Sequence, residues 1–149
     1  MTVIILSIKR KYAEAILSGV KKCELRKGSF PRDVSLALIY SSNHDGLITG
    51  WFTVKRKVEG TPKQVWEKFS EDAHISKEDF DRYYEGSKKA VALVIGKYQK
   101  LDAPINPFKE FKGFVAPQSF MYPRESDMTL LTQRIEPLRE QTLESRLGP

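Results

Sequence analysis

Hydrophobic positions along the chain switch between a two-residue period and a helical one, and the switches predict its elements. Val3–Ile8 is an apolar run that predicts a buried strand. From Lys11 to Ser18, Tyr12, Ala15 and Ile16 recur at helical spacing, and Gly19 is placed to end that helix at C′. Lys22–Lys27 is a short strand. After a turn at Asp33, Val34–Ser42 is a strand with Val34, Leu36, Leu38 and Tyr40 on one face. Asn43-His44-Asp45-Gly46 is a turn by composition, and Leu47–Val58 completes a hairpin over 34–58. Thr61-Pro62 supplies an N-cap and a proline at N1 for a helix to about Glu71. Ser76, with Asp79 following, opens a second helix that Gly86 ends. Ala90–Leu101 is a long apolar strand interrupted at Gly96. Asp102–Pro123 is a loop punctuated by Pro104, Pro107, Pro117 and Pro123. Ser126 caps a last helix to about Ile135, limited by Pro137, and residues 136–149 are polar and expected to fray. The pattern predicts an α+β domain: five to six mostly antiparallel strands in a small β-barrel or strongly curved sheet, flanked by short helices.

Length and composition fit one domain. The 149 residues include eight Phe, six Tyr and two Trp, enough for a packed core without disulfide or metal support. Cys23 is the sole cysteine, which excludes an internal disulfide and a multi-cysteine zinc site. His44 and His74 stand in unrelated contexts, so no metal or other cofactor is expected. No apolar run approaches the ~20 residues of a membrane span, and no export signal is visible, so the expected compartment is the cytoplasm, without a membrane partner.

Charge changes the picture more. The net charge is +6. Between Lys9 and Arg32, Lys9, Arg10, Lys11, Lys21, Lys22, Arg26, Lys27 and Arg32 face only Glu14 and Glu24. Over 62–86 acids outnumber bases. The domain is expected to be electrically two-faced, its N-terminal third favouring an anionic partner such as nucleic acid.

The candidate chemistry concentrates in that third. If 22–27 is extended, Cys23 and Leu25 face the core, and Lys22, Glu24 and Arg26 share the other face. Arg26 offers a fork of donors for phosphate or a base edge. Glu24 can orient that fork or accept from a nucleobase amino group. Lys21, just past the helix end, reaches the same space. The alternative is a structural Glu24–Arg26 pair on the barrel's outside. In the strand Leu47–Val58, Trp51, Thr53, Lys55 and Lys57 share a face. Trp51 with Lys55 suits stacking plus phosphate binding, or else Trp51 packs beneath a helix. In Pro117–Pro123, Gln118 and Ser119 could hydrogen-bond a base on which Phe120 stacks, or the loop plugs a barrel end. Cys23 lies on the apolar face, without a nearby histidine, and is a poor nucleophile.

Taken in order, several segments resemble one family. These are Leu6-Ser7-Ile8-Lys9, Gly19-x-Lys21-x-x-Glu24-x-Arg26, Ile39-Tyr40-Ser41-Ser42, Gly50-x-Phe52-x-Val54, Ile75–Phe80, Ala92-Leu93-x-Ile95-Gly96 and Pro117-Gln118-Ser119-Phe120. Together they are similar to the ASCH domain of the PUA-like superfamily, over residues 3–123. The resemblance implies a PUA-like β-barrel with an RNA- or nucleotide-linked cleft, in a family tied to RNA metabolism and transcriptional coactivation. Carried over, it places Lys21, Glu24 and Arg26 on the cleft wall and Lys9, Ser42, Gln118 and Ser119 near the rim. It also implies a domain over 1–123 and a C-terminal helical extension or tail over 124–149. Some members resemble amidohydrolases that use a lysine, a threonine three residues on and a later glutamate. Here Glu24 stands at the threonine position and Lys55 is the likeliest counterpart of the glutamate, which removes the hydroxyl and its partner.

The first expectation is therefore a non-catalytic module. It would take RNA, a single strand or a nucleotide-like ligand through Lys9, Lys21, Glu24, Arg26, Ser42, Trp51, Lys55, Gln118, Ser119 and Phe120. A second is a hydrolase of RNA or nucleosides, with Lys21 as base beside Glu24. A third is a protein-interaction or transcription-regulatory module that docks a partner on acidic helices 62–86.

Overall fold

The computed structural model describes residues 1–31, 33–42 and 45–147, the last four by their backbone only. Arg32, Asn43, His44 and the final two residues, and with them half of the expected 43–46 turn, lie outside the described residues. Six strands form one sheet in the order β2-β5-β4-β3-β1-β6. They are β1 (Thr2–Lys9), β2 (Cys23–Lys27), β3 (Val34–Ser42), β4 (Leu47–Gly60), β5 (Ala90–Ile105) and β6 (Phe120–Met121). The sheet curls into a half-barrel, as the hydrophobic pattern predicts. β1 and β3 run parallel, and the other pairs are antiparallel.

Helices fill the connections: α1 (Arg10–Leu17), α2 (Pro62–Phe69), α3 (Lys77–Tyr84), α4 (Pro107–Glu110), α5 (Met128–Arg134) and α6 (Glu136–Leu147). Local chemistry sets their starts. Thr61 and Gln64 form a reciprocal capping box ahead of Pro62, and the Ser76 hydroxyl accepts from the Asp79 amide at 3.1 Å. Gly19 ends the α1 turn with φ +86°, a backbone shape that L side chains avoid.

Both faces of the sheet are covered, which explains the nearly continuous apolar run in β1. Ile4, Leu6 and Ile8 pack with Ala13 and Ile16 of α1, Phe30 and Phe52. Val3 and Ile5 face the other way, with Leu36, Leu38, Trp51 and the C-terminal Leu131, Ile135 and Leu138. A third cluster joins Cys23 and Leu25 of β2 to Val65, Phe69, Phe80 and Tyr84 of α2 and α3.

Three local expectations need correction. β5 runs past Leu101 to Ile105, including Pro104. Its pairing with β2 ends at Val94, so its far half is an edge, where proline is tolerated. The stretch expected as a continuous loop contains α4 and β6. The stretch expected to fray is helix α6, held by Leu138, which is 3% exposed in the same cluster as Trp51.

Candidate functional site: the seam of the half-barrel

The curl brings β2, one edge of the sheet, up to the β1 side of the other without a ladder between them. A side chain spans the gap: Arg26 Nη2 donates to the Ser7 carbonyl at 2.6 Å. The Ser7 amide donates to the Ser119 carbonyl at 2.8 Å, which pins the proline-stiffened loop to the same place. At this seam lies a cleft of ≈ 1130 Å³. Its basic residues are Lys9, Arg10, Lys11, Lys21, Arg26, Lys27 and Arg82, set against the acids Glu24 and Asp79.

Strand alternation delivers Glu24 and Arg26 to the cleft while Cys23 and Leu25 enter the third core cluster. Arg26 directs two donors, Nε at 3.1 Å and Nη2 at 2.7 Å, onto Glu24 Oε2. Glu24 Oε1 lies 3.9 Å from Lys21 Nζ, an ion-pair distance too long for a hydrogen bond. Lys21 Nζ donates to the Ala73 carbonyl and stands 5.0 Å from the centre of the Tyr12 ring. Lys21 is 3% exposed and Glu24 6%. Two cations and one carboxylate thus share a nearly dry site.

Burial dominates the electrostatics here. It pushes the Lys21 pKa down, Glu24 opposes the shift, and Arg26 adds to it. Burial likewise raises the phenols of Tyr12 and Tyr83, both of which line the cleft. Lys27 Nζ sits 4.5 Å from the centre of the Tyr83 ring. The Cys23 thiol is pushed up to about 12, chiefly by burial, so it is held as a packed, protonated group. Among the described residues no group of three or more His, Cys, Asp or Glu could hold a metal ion.

Of the residues singled out in the sequence, Lys9, Lys21, Glu24, Arg26, Ser42, Gln118 and Ser119 line this cleft. Three do not, and each is a correction. Trp51 is 5% exposed, packed with the C-terminal helices, so it cannot stack on a ligand. Lys55 lines a different, smaller hollow, beside Gly96 and on the same side as Thr53, away from the seam. Phe120 pairs β6 to Leu6 of β1 and packs its ring 4.8 Å from that of Phe30, a plug rather than a platform. The sequence reading missed Tyr12 and Tyr83 on the cleft wall, and Asp79 and Arg82 from α3. The helical period of α3 offered a signal: the buried Phe80 and Tyr84 leave Asp79 and Tyr83, each one residue earlier, on a neighbouring face. Of the helices over 62–86, expected as a separate acidic docking surface, α3 therefore contributes residues to the cleft itself.

Residues 1–116 match the family model described as "Domain of unknown function (DUF365)". The chain belongs to the DUF365 family. It is similar to a curated protein from Zymomonas mobilis named "ASCH domain-containing ribonuclease", at 28% identity over 139 residues, covering 89% of this chain and 93% of that protein. It is also 29% identical over 120 residues to the large ribosomal subunit protein uL22 of Ureaplasma parvum, covering 80% of this chain but 38% of that protein. Among solved structures, ASCH from Zymomonas mobilis aligns with a TM-score of 0.81 at 24% identity, over 89% of this chain and 94% of that one. This DUF365 chain thus has the α+β, PUA-like fold of ASCH structures. Among its described residues no helix is long and apolar enough to cross a membrane.

Proposed function

We propose that this DUF365 chain is an RNA-binding domain whose seam cleft takes a single strand and reads one base. The observation that carries the reading is the use of polar atoms at Glu24 and Arg26. Arg26 spends Nε and Nη2 on Glu24 and Ser7, while among the described residues Nη1 bonds nothing. Glu24 Oε2 is held by Arg26, while Oε1 accepts no hydrogen bond among the described residues. A free donor beside a free acceptor, on a rigid pair, matches the mixed edge of a nucleobase. Lys9, Arg10, Lys11 and Lys27 around them supply positive charge for phosphates. Tyr12 and Tyr83 offer ring faces in place of Trp51 and Phe120. Filter binding with single-stranded RNA tests this. Affinity should fall with added salt and drop in Arg26→Ala, and absence of binding at low salt would overturn the reading.

A second reading, that the same cleft cuts RNA, is favoured by the ribonuclease name of the Zymomonas relative and by the lowered pKa of buried Lys21. The neutral Lys21 amine would accept the proton of a ribose 2′-hydroxyl. That oxygen would attack phosphorus, and the 5′-oxygen would leave with a proton from water, giving a 2′,3′-cyclic phosphate and a 5′-hydroxyl. Single-turnover cleavage should rise with pH as Lys21 loses its proton and should vanish in Lys21→Ala. Unchanged cleavage in that variant removes Lys21 from the reaction.

A further inference from the structure

Lys21 lines both the cleft and a second, smaller hollow of ≈ 310 Å³. A fault in the sheet makes this hollow. Phe52 pairs with Tyr98 and Val54 with Ile95, so Gly96 and Lys97 are one residue too many for the ladder. The Lys97 amide donates instead to Thr53 Oγ1 at 2.8 Å. A Cβ on Gly96 would stand 2.7 Å from that same oxygen and force it to shift, so glycine suits the bulge and leaves this part of the wall bare. Tyr98 forms another part. Its hydroxyl occupies the space a Cβ on Gly19 would need, which lays the ring over the turn after α1 while leaving it 45% exposed.

The charges around this hollow are lopsided. Lys21, Lys22 and Lys55 line it against Asp72 alone. Among the described residues Lys22 and Lys55 make no ion pair, and both are exposed. Its volume is at the lower end for ligand pockets. Two exposed ammonium groups beside a partly open ring suit a phosphate carried on a ribose.

We propose that this bulge hollow is a phosphate subsite, where Lys22 and Lys55 hold a phosphate group of a nucleotide ligand over Gly96, beside Tyr98. The subsite itself stands on its own geometry. That its phosphate belongs to the strand in the cleft rests on the RNA-binding reading. Titrating the full chain with inorganic phosphate and with ribose 5-phosphate, followed by amide NMR, separates the two. Resonances of Lys55, Gly96 and Lys97 should move, and the Lys22→Ala/Lys55→Ala variant should bind at least about tenfold more weakly. The cleft variant Lys9→Ala/Lys11→Ala should keep the shifts. No shift at millimolar phosphate, or shifts that survive loss of both lysines, would overturn the subsite. A parallel RNA titration identifies the source. If the strand supplies the phosphate, Lys22→Ala/Lys55→Ala should flatten the log–log salt dependence by about 0.7. If phosphate binds but that slope does not change, the subsite stands with a free nucleotide as its ligand. If phosphate binds but RNA does not, the subsite stands and the cleft reading fails.

Discussion

At the seam, Lys21, Glu24 and Arg26 leave water by bonding to one another and to the carbonyls of Ala73 and Ser7. Beneath α5 and α6, Trp51 leaves water by packing against Leu131, Ile135 and Leu138. In sequence the two strands involved both mix charged with apolar residues. What separates them is the cover each receives. The far end of the chain closes one face with apolar side chains. The seam receives a loop and the edges of α1 and α3, so its polar groups stay beside open volume. Polar residues kept dry next to a cleft need partners to stay there, and those same partners orient them for a ligand.

The largest expected effect breaks the apolar side. Trp51→Ala should cost about 3–5 kcal/mol in denaturant unfolding while leaving the RNA affinity of the folded protein unchanged. A loss of affinity at constant stability would return Trp51 to the binding site.

Next comes the polar side. Glu24→Gln leaves the buried Lys21 and the partly buried Arg26 without their carboxylate and should cost about 3 kcal/mol near neutral pH. The sign of the pH dependence follows from Lys21, whose folded pKa is lowered. Between that value and its unfolded value the unfolded chain binds more protons, so stability rises with pH. The gap between Glu24→Gln and the unmodified protein should therefore narrow as pH rises through the Lys21 pKa. Most of the contribution of Cys23, whose raised pKa acts in the opposite sense, drops out of that gap, because burial rather than Glu24 is the chief cause of that shift. A gap that does not vary with pH up to 10 would mean that Lys21 does not sense Glu24.

A smaller effect sharpens the contrast. Arg26→Lys keeps the charge but loses the fork, and should weaken RNA binding by about 1–3 kcal/mol with a smaller change in melting temperature. Equal losses of stability and binding would reduce Arg26 to a strut. At the bottom of the scale, Lys77→Ala removes an exposed pair with Asp81 on α3, outside both regions. It should shift stability by less than about 0.5 kcal/mol and leave binding unchanged.

Much of the fold was legible because its signals are local. The caps at Thr61 and Ser76 and the stop at Gly19 each depend on a few neighbouring residues. Glu24 and Arg26 could be paired for the same reason, since residues two apart on a strand share a face. The errors arose where distant segments decide. α6 has a polar sequence, and what anchors it is Leu138 reaching a core built by strands roughly a hundred residues earlier. Lys55 lies away from the seam, at a hollow where β4 slips register against β5, and slips of that kind depend on the partner strand.

By itself, then, the sequence determined the element order from β1 to the start of β5, the buried β1, and a lysine, a carboxylate and an arginine close together in the first third. Periodicity, capping and strand alternation act over a few residues, and the chain carries them wherever it folds. Tertiary structure alone decided that the sheet stops short of closing, that Arg26 spans the gap to Ser7, and that Trp51 lies under the C-terminal helices. Each of those outcomes depends on the curl of the whole sheet and on contacts between segments far apart in the chain, which no local pattern encodes.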